Sequence, residues 1–209
     1  MIRLLGRQTS GNVQKVIFML EEATIPYARE DYGRQFGNTQ TAEYLALNPN
    51  AKVPTLVDGD VVIWESHTIL RFLATSHAPG LTGATATERS SVERWMDWLL
   101  ASVNGLYLTM FKEAKKPAAE RVPDFDAQAK ELIALLAIAE AHLAGREFFA
   151  LGRLTIADMA LGPILKRCVA FPIGVPSFSN LGRWIAHLDS RPAFQVATGA
   201  KPAAVSSAA

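Results

Sequence analysis

A single cysteine, Cys168, has no partner for an internal disulfide and cannot supply the thiolates of a structural zinc site. The four histidines, at 67, 77, 142 and 187, lack the spacing of metal ligands, so no metal is expected. No apolar run approaches the roughly 20 residues that cross a bilayer. Met1 and Ile2 lead into a strand pattern without the basic region and cleavage site of a secretion signal, which makes a cytoplasmic location and no membrane partner the expectation. Charge of one sign is also missing: 21 basic residues stand against 20 acidic ones, and no basic run interleaves with aromatics. The electrostatic footprint of a nucleic-acid binder is therefore absent. What the chain does have is apolar material, 49% of 209 residues, enough for one packed domain or two small ones.

The first 77 residues alternate between strand and helix signals. Ile2 to Gly6 reads as a strand, Ser10, Gly11 and Asn12 break it, and Val13, Val16, Ile17 and Leu20 recur at helical spacing. Tyr27 to Asp31 reads as a second strand, and Thr41 to Leu47 as a short helix ended by Asn48 and Pro49. The pattern is βαβαββα, an α/β unit close to a thioredoxin-like module, expected as a domain over 1–77. Residues 78–86, with Pro79, Gly80 and Gly83, read as a linker, and 87–200 as an all-helical domain. In that domain one long helix is expected over 87–116 and another over 124–144, the latter with Leu132, Leu135, Leu136, Ala139 and Leu143 on one face. Further helices are expected from Thr155, over 178–189, and after Arg191. Residues 201–209 read as a flexible tail.

Chemical interest concentrates between Asn48 and Ala74. Val53 and Pro54 open an apolar run, Asp58, Gly59 and Asp60 turn it, Val61 to Trp64 return, and Glu65 and Ser66 begin a helix. Proline at a strand start donates no ladder hydrogen bond and leaves the neighbouring backbone open to whatever lies beside it. A serine at a helix start with an acid before it gathers hydroxyl, backbone amides and carboxylate in one small volume. That set suits a ligand carrying both a carboxylate and an ammonium group.

Together with the helical second half and a capping box at Thr155 to Asp158, these motifs resemble the cytosolic glutathione transferase family from about Ile2 to Gly199. The segment from Ser10 to Val16 is similar to the serine-type branch of bacterial theta-like and beta-like enzymes. The resemblance implies glutathione as co-substrate. Ser10 would donate to its sulfur, with Asn12 as the competing donor. Lowering a thiol pKa of about 8.5 by about 2 units takes roughly 2.7 kcal/mol, within reach of a charge-assisted hydrogen bond plus a helix dipole. It further implies a cis Pro54, the backbone of Val53 pairing with the cysteinyl part, Glu65 accepting the γ-glutamyl ammonium, and Ser66 receiving the γ-glutamyl carboxylate. Lys52 is available for the glycine carboxylate, whereas Thr39, Gln40 and Thr41 stand where many relatives carry a basic residue.

The thiolate would add, by substitution or conjugate addition, to a small apolar electrophile in a pocket expected between the domains. Tyr107, Met110 and Phe111 are its candidate lining, although such a stripe is more often core. Thr155 and Asp158 are expected to be structural. Two other functions fit less well. A non-catalytic binding or interaction module has no need of Ser10, Glu65 and Ser66 together, and a thiol-disulfide enzyme needs a cysteine near the first helix. Homodimerisation is expected from the resemblance.

Overall fold

Leu4 and Leu5, both fully enclosed, sit on strand β1 (Ile2–Leu5), an inner strand of a four-stranded sheet. The computed structural model describes residues 1–202; the tail expected at 201–209 lies outside them from residue 203 on. β1 pairs in parallel with β2 (Tyr27–Glu30) on one side and antiparallel with β3 (Thr55–Asp58) on the other, and β3 pairs antiparallel with the edge strand β4 (Val61–Trp64). The parallel pair needs a crossover, supplied by α1 (Gly11–Glu22); the antiparallel pair β3 and β4 needs only the Gly59 turn. Helices α2 (Ala42–Leu47) and α3 (Ser66–His77) complete the βαβαββα order expected from the sequence.

The chain groups into two compact units, Met1–Thr82 with the stretch from Asp189 on, and Gly83–Leu188. The last helix, α9 (Pro192–Thr198), packs on α1 rather than standing with the helices that precede it in sequence. Phe18 and Phe194 meet edge to face at 5.1 Å, the Gln8 amide donates to the Val196 carbonyl at 2.8 Å, and Arg191 pairs with Glu22. Periodicity revealed the helix but not its partner, because an apolar face carries no address.

The second unit is helical. α4 (Ala86–Trp98) starts on a capping box between Thr85 and Glu88, and α5 (Asn104–Glu113) follows it. The helix expected unbroken over 87–116 is interrupted by a π-helical turn at Leu99–Val103. Both buried ends of that turn, Leu99 and Val103, are four residues apart, a spacing that fits an α-helix as well as the wider π turn. α6 (Phe125–His142) buries Leu132, Leu136 and Ala139; its neighbour α7 (Ile156–Val169) is enclosed along most of its length. Glu140 of α6 caps α8 (Ser179–Ser190), accepting from the amides of Asn180 at 3.1 Å and Leu181 at 2.8 Å.

The capping box at Thr155 and Asp158 is present and carries more than a helix end. Asp158 Oδ2 accepts from the Thr155 amide (3.0 Å) and hydroxyl (3.1 Å), and Oδ1 accepts from the Phe149 amide (3.0 Å) and the Trp184 indole (3.1 Å). The carboxylate thus ties the loop before α7 and helix α8 to the start of α7. Burial pushes its pKa up to about 6 against the pull of these donors. The folded value lies above the unfolded one, so this group's contribution is full below about pH 4 and is lost as pH rises to about 6, a swing of about 3 kcal/mol. Asp158→Asn, which sets an amide donor against donors already there, should cost about 2–4 kcal/mol near neutral pH. Urea unfolding of both proteins across that pH range should show the stability difference, wild type minus variant, shrinking as pH rises.

Candidate functional site

The register of the sheet places three loop ends in a row. Leu5 pairs with Thr55, and Thr55 pairs with Trp64, so the loop leaving β1, the segment entering β3 and the segment leaving β4 emerge at the same end of the sheet. These segments carry Ser10, Val53 with Pro54, and Glu65 with Ser66. Gly6 lets them close up, since a Cβ there would stand 2.5 Å from a Val13 methyl and 3.3 Å from Val53 Cβ.

Ser10 is the N-cap residue of α1 and nearly buried, yet its side chain makes no capping hydrogen bond. Its hydroxyl thus stands uncommitted to capping at a helix end whose amides carry positive potential. Asn12, half-buried, lies in the first turn of the same helix. The Val53–Pro54 peptide is cis, with Pro54 buried and Val53 half-buried. Glu65, exposed, is the N-cap of α3 and sits at φ 69°, a left-handed conformation that costs a non-glycine residue about 1–2 kcal/mol. The Asn50 amide donates to its carboxylate at 3.3 Å. Ser66 follows as the first residue of α3 and is 4% exposed. Lys52 is exposed.

Two side chains not foreseen from the sequence hold the proline segment. The Lys52 carbonyl accepts from the Tyr44 hydroxyl (2.7 Å) and the Asn48 amide (2.8 Å). On the far side of Pro54, the Thr55 hydroxyl accepts from Asn48 at 3.0 Å and donates to the Tyr44 oxygen at 2.9 Å. Tyr44, Asn48 and Thr55 are all buried, and Tyr32 stacks on Tyr44 at 4.9 Å. Asn48 had read as a helix terminator only. A buried pair was missed too: Lys15 on α1 lies 3.0 Å from His67 on α3, which follows Ser66 directly. The run from Val13 to Leu20 is buried on every side, Lys15 with it, and local periodicity carries no signal of that.

The residues proposed for an apolar pocket are in the helical unit. Met110 and Tyr107 are buried there, and the Tyr107 hydroxyl accepts from Arg167 at 3.1 Å, while Phe111 is 37% exposed. Cys168 is buried, which pushes its thiol up to about 12 and keeps it un-ionised. Among the described residues no group of three or more His, Cys, Asp or Glu is gathered for a metal ion, and no helix is long and apolar enough to cross a membrane.

Family models for the glutathione S-transferase N-terminal domain and C-terminal domain match residues 9–76 and 118–190. The chain belongs to the glutathione S-transferase family. It is 35% identical over 198 residues to the glutathione S-transferase GstB of Escherichia coli K12, covering 92% of this chain and 95% of that one. Among solved structures it is similar to the theta class glutathione S-transferase of Xanthomonas axonopodis pv. citri with glutathione bound, with TM-score 0.88 and 38% identity over 94% of this chain and 96% of the other. A Pseudomonas fluorescens family member with two glutathione molecules bound matches at TM-score 0.86 and 26% identity, covering 94% and 92% of the two chains.

The hydrogen bonds around Lys52 and Thr55 act as one unit. Asn48→Ala and Tyr44→Phe should each lower stability by about 1–3 kcal/mol. A double-mutant cycle by urea unfolding should return a coupling of about 0.5–3 kcal/mol rather than simple addition.

Proposed function

We propose that this chain is a glutathione transferase that binds glutathione, stabilises its thiolate and adds the sulfur to a small apolar electrophile. The observation that carries this reading is the Ser10 hydroxyl, placed at the amino end of α1 and not used to cap it. A hydroxyl that donates to sulfur favours thiolate over thiol, and the helix end adds to the effect without any covalent intermediate. The backbone of Val53 pairs with the cysteinyl portion in the manner of an added strand. Glu65 accepts the γ-glutamyl ammonium, the Ser66 amide and hydroxyl receive its carboxylate, and exposed Lys52 is available to the glycine end. Asn12, in the first turn of α1, is the second donor. Phe111 offers an exposed ring to an apolar acceptor.

Ser10→Ala should lower kcat by about 100-fold near neutral pH, because about 100-fold less of the bound thiol is ionised, while KM for glutathione changes little. Ultraviolet titration of the bound thiol should place its pKa about 2 units higher in the variant. Undiminished turnover would move the role to Asn12, and a wild-type protein that binds glutathione without accelerating its reaction with an activated halide would leave a binding module.

We also infer a homodimer. The edge strand β4 exposes Val61, Val62 and Trp64, at 46%, 38% and 39%, an apolar ladder edge that folded proteins ordinarily cover. Sedimentation at micromolar concentration should give the mass of two chains, and Val62→Lys combined with Trp64→Glu should give one. A wild-type monomer refutes the assembly.

A further inference from the structure

Lys15 is completely enclosed, and the nitrogen it touches belongs to an imidazole rather than a carboxylate. Lysine is among the residues least often buried without a partner of opposite charge, and an imidazole lone pair does not neutralise it. His67 is 2% exposed, and its second ring nitrogen, Nδ1, is enclosed with no hydrogen-bond partner among the described residues. With the ammonium donating to Nε2, the ring proton sits on Nδ1 and finds nothing to bond. Both halves of this pair are costly for stability. Their position is the counterweight: Lys15 lies on α1, the helix that begins at Ser10, and His67 lies next to Ser66 in the first turn of α3. The bond between them ties together the two helices whose amino ends take the sulfur and the γ-glutamyl head of glutathione in the function proposed above.

Resting on that reading, we propose that Lys15 and His67 are a positioning pair, which sets the first turn of α3 against α1 and thereby holds Glu65 and Ser66 in place for the γ-glutamyl head. Neither residue is placed on the reacting sulfur. The charges acting on the pair are few. Glu65, at the amino end of α3, favours the ammonium form of Lys15; the Lys15 ammonium itself, and after it Arg71, one turn further along α3, disfavour protonation of His67. Helix α9, packed on α1, and strand β4, beside α3, carry no ionisable side chain within Pro192–Thr198 or Val61–Trp64. Burial brings the Lys15 amine down to about 7 and His67 down to about 2. The imidazole therefore stays neutral, and the amine changes charge near neutral pH.

S-methylglutathione separates this pair from the thiol chemistry, because it keeps the γ-glutamyl head and has no thiol to ionise. Its affinity is measured by calorimetry between about pH 6 and about pH 7.5 and corrected for the ligand's own ammonium, titrated separately in the free ligand, since an α-amino group ordinarily titrates at about 7.7–8.0. The wild type should show a step in affinity near pH 7, accompanied by proton exchange with the buffer. Lys15→Met combined with His67→Leu replaces the pair with apolar side chains of similar reach, and such replacements of buried charge are commonly neutral or stabilising. The double variant should melt no lower than wild type, bind S-methylglutathione about 10-fold more weakly (about 1.4 kcal/mol) and lose the pH step. His67→Gln, whose amide oxygen reaches the place of Nε2, should restore affinity to within about twofold and keep the step. A folded double variant with wild-type affinity, or a pH step that survives Lys15→Met, overturns the inference while leaving the proposed function standing. A wild-type protein that does not bind S-methylglutathione at all removes the function itself and this pair's role with it.

Discussion

The segment around Pro54 is pinned from both sides by the same two side chains, and the site depends on that clasp. Tyr44 and Asn48 both donate to the Lys52 carbonyl before the proline, and both bond the Thr55 hydroxyl after it. A proline segment entering an inner strand has lost a backbone donor and cannot be held by the sheet ladder alone. Side-chain bonds from α2 and its terminus take over that task. Because Thr55 is also the residue that pairs with Leu5 and Trp64, anything that fixes it fixes the row from which Ser10, Val53 and Glu65 emerge. The alignment of three distant pieces of sequence is thus inherited from one strand residue and its two partners.

Local features of this arrangement were readable from the chain. The strand and helix periods, the hairpin turn at Gly59, the helix starts at Ser10 and Ser66 and the box at Thr155 each depend on residues a few positions apart, and the elements stand where those signals put them. Partner choice was not readable. Asn48 carries a terminator's signature, and nothing near it in sequence says that its amide also spans to Thr55. Lys15 and His67 are separated by 52 positions, and a lysine in a helix ordinarily means a solvated face. The π turn at Leu99–Val103 escaped because its apolar spacing is shared with an α-helix.

Asp158 and Lys15, both fully buried, have opposite environments. Asp158 faces four donors, which use both of its oxygens and come from the Phe149 amide, the Trp184 indole, and the amide and hydroxyl of Thr155. Such a network rigidifies a core, since each member is satisfied only when all are in place. Lys15 has one neutral acceptor, and that acceptor carries an unmet nitrogen of its own.

The contrast separates what a buried charge does for folding from what it does for a site. If Lys15 were present for stability, a carboxylate in contact with it or several carbonyls would be expected, as donors surround Asp158; Glu65 acts on Lys15 only through space, and the partner Lys15 touches is neutral. An imidazole gives too little in return for desolvating an ammonium, and an apolar residue in the same space would hold the helices together better. Sequences that break a local rule of polar satisfaction do so mostly at functional positions, where stability is given up for geometry or charge. The same reasoning applies to Glu65, which holds a left-handed conformation that glycine would adopt without strain, yet supplies a carboxylate that glycine lacks. Both departures meet at the first turn of α3, Glu65 at its exposed amino end and Lys15 on α1 against His67 beneath it, which is where the proposed function puts the γ-glutamyl head.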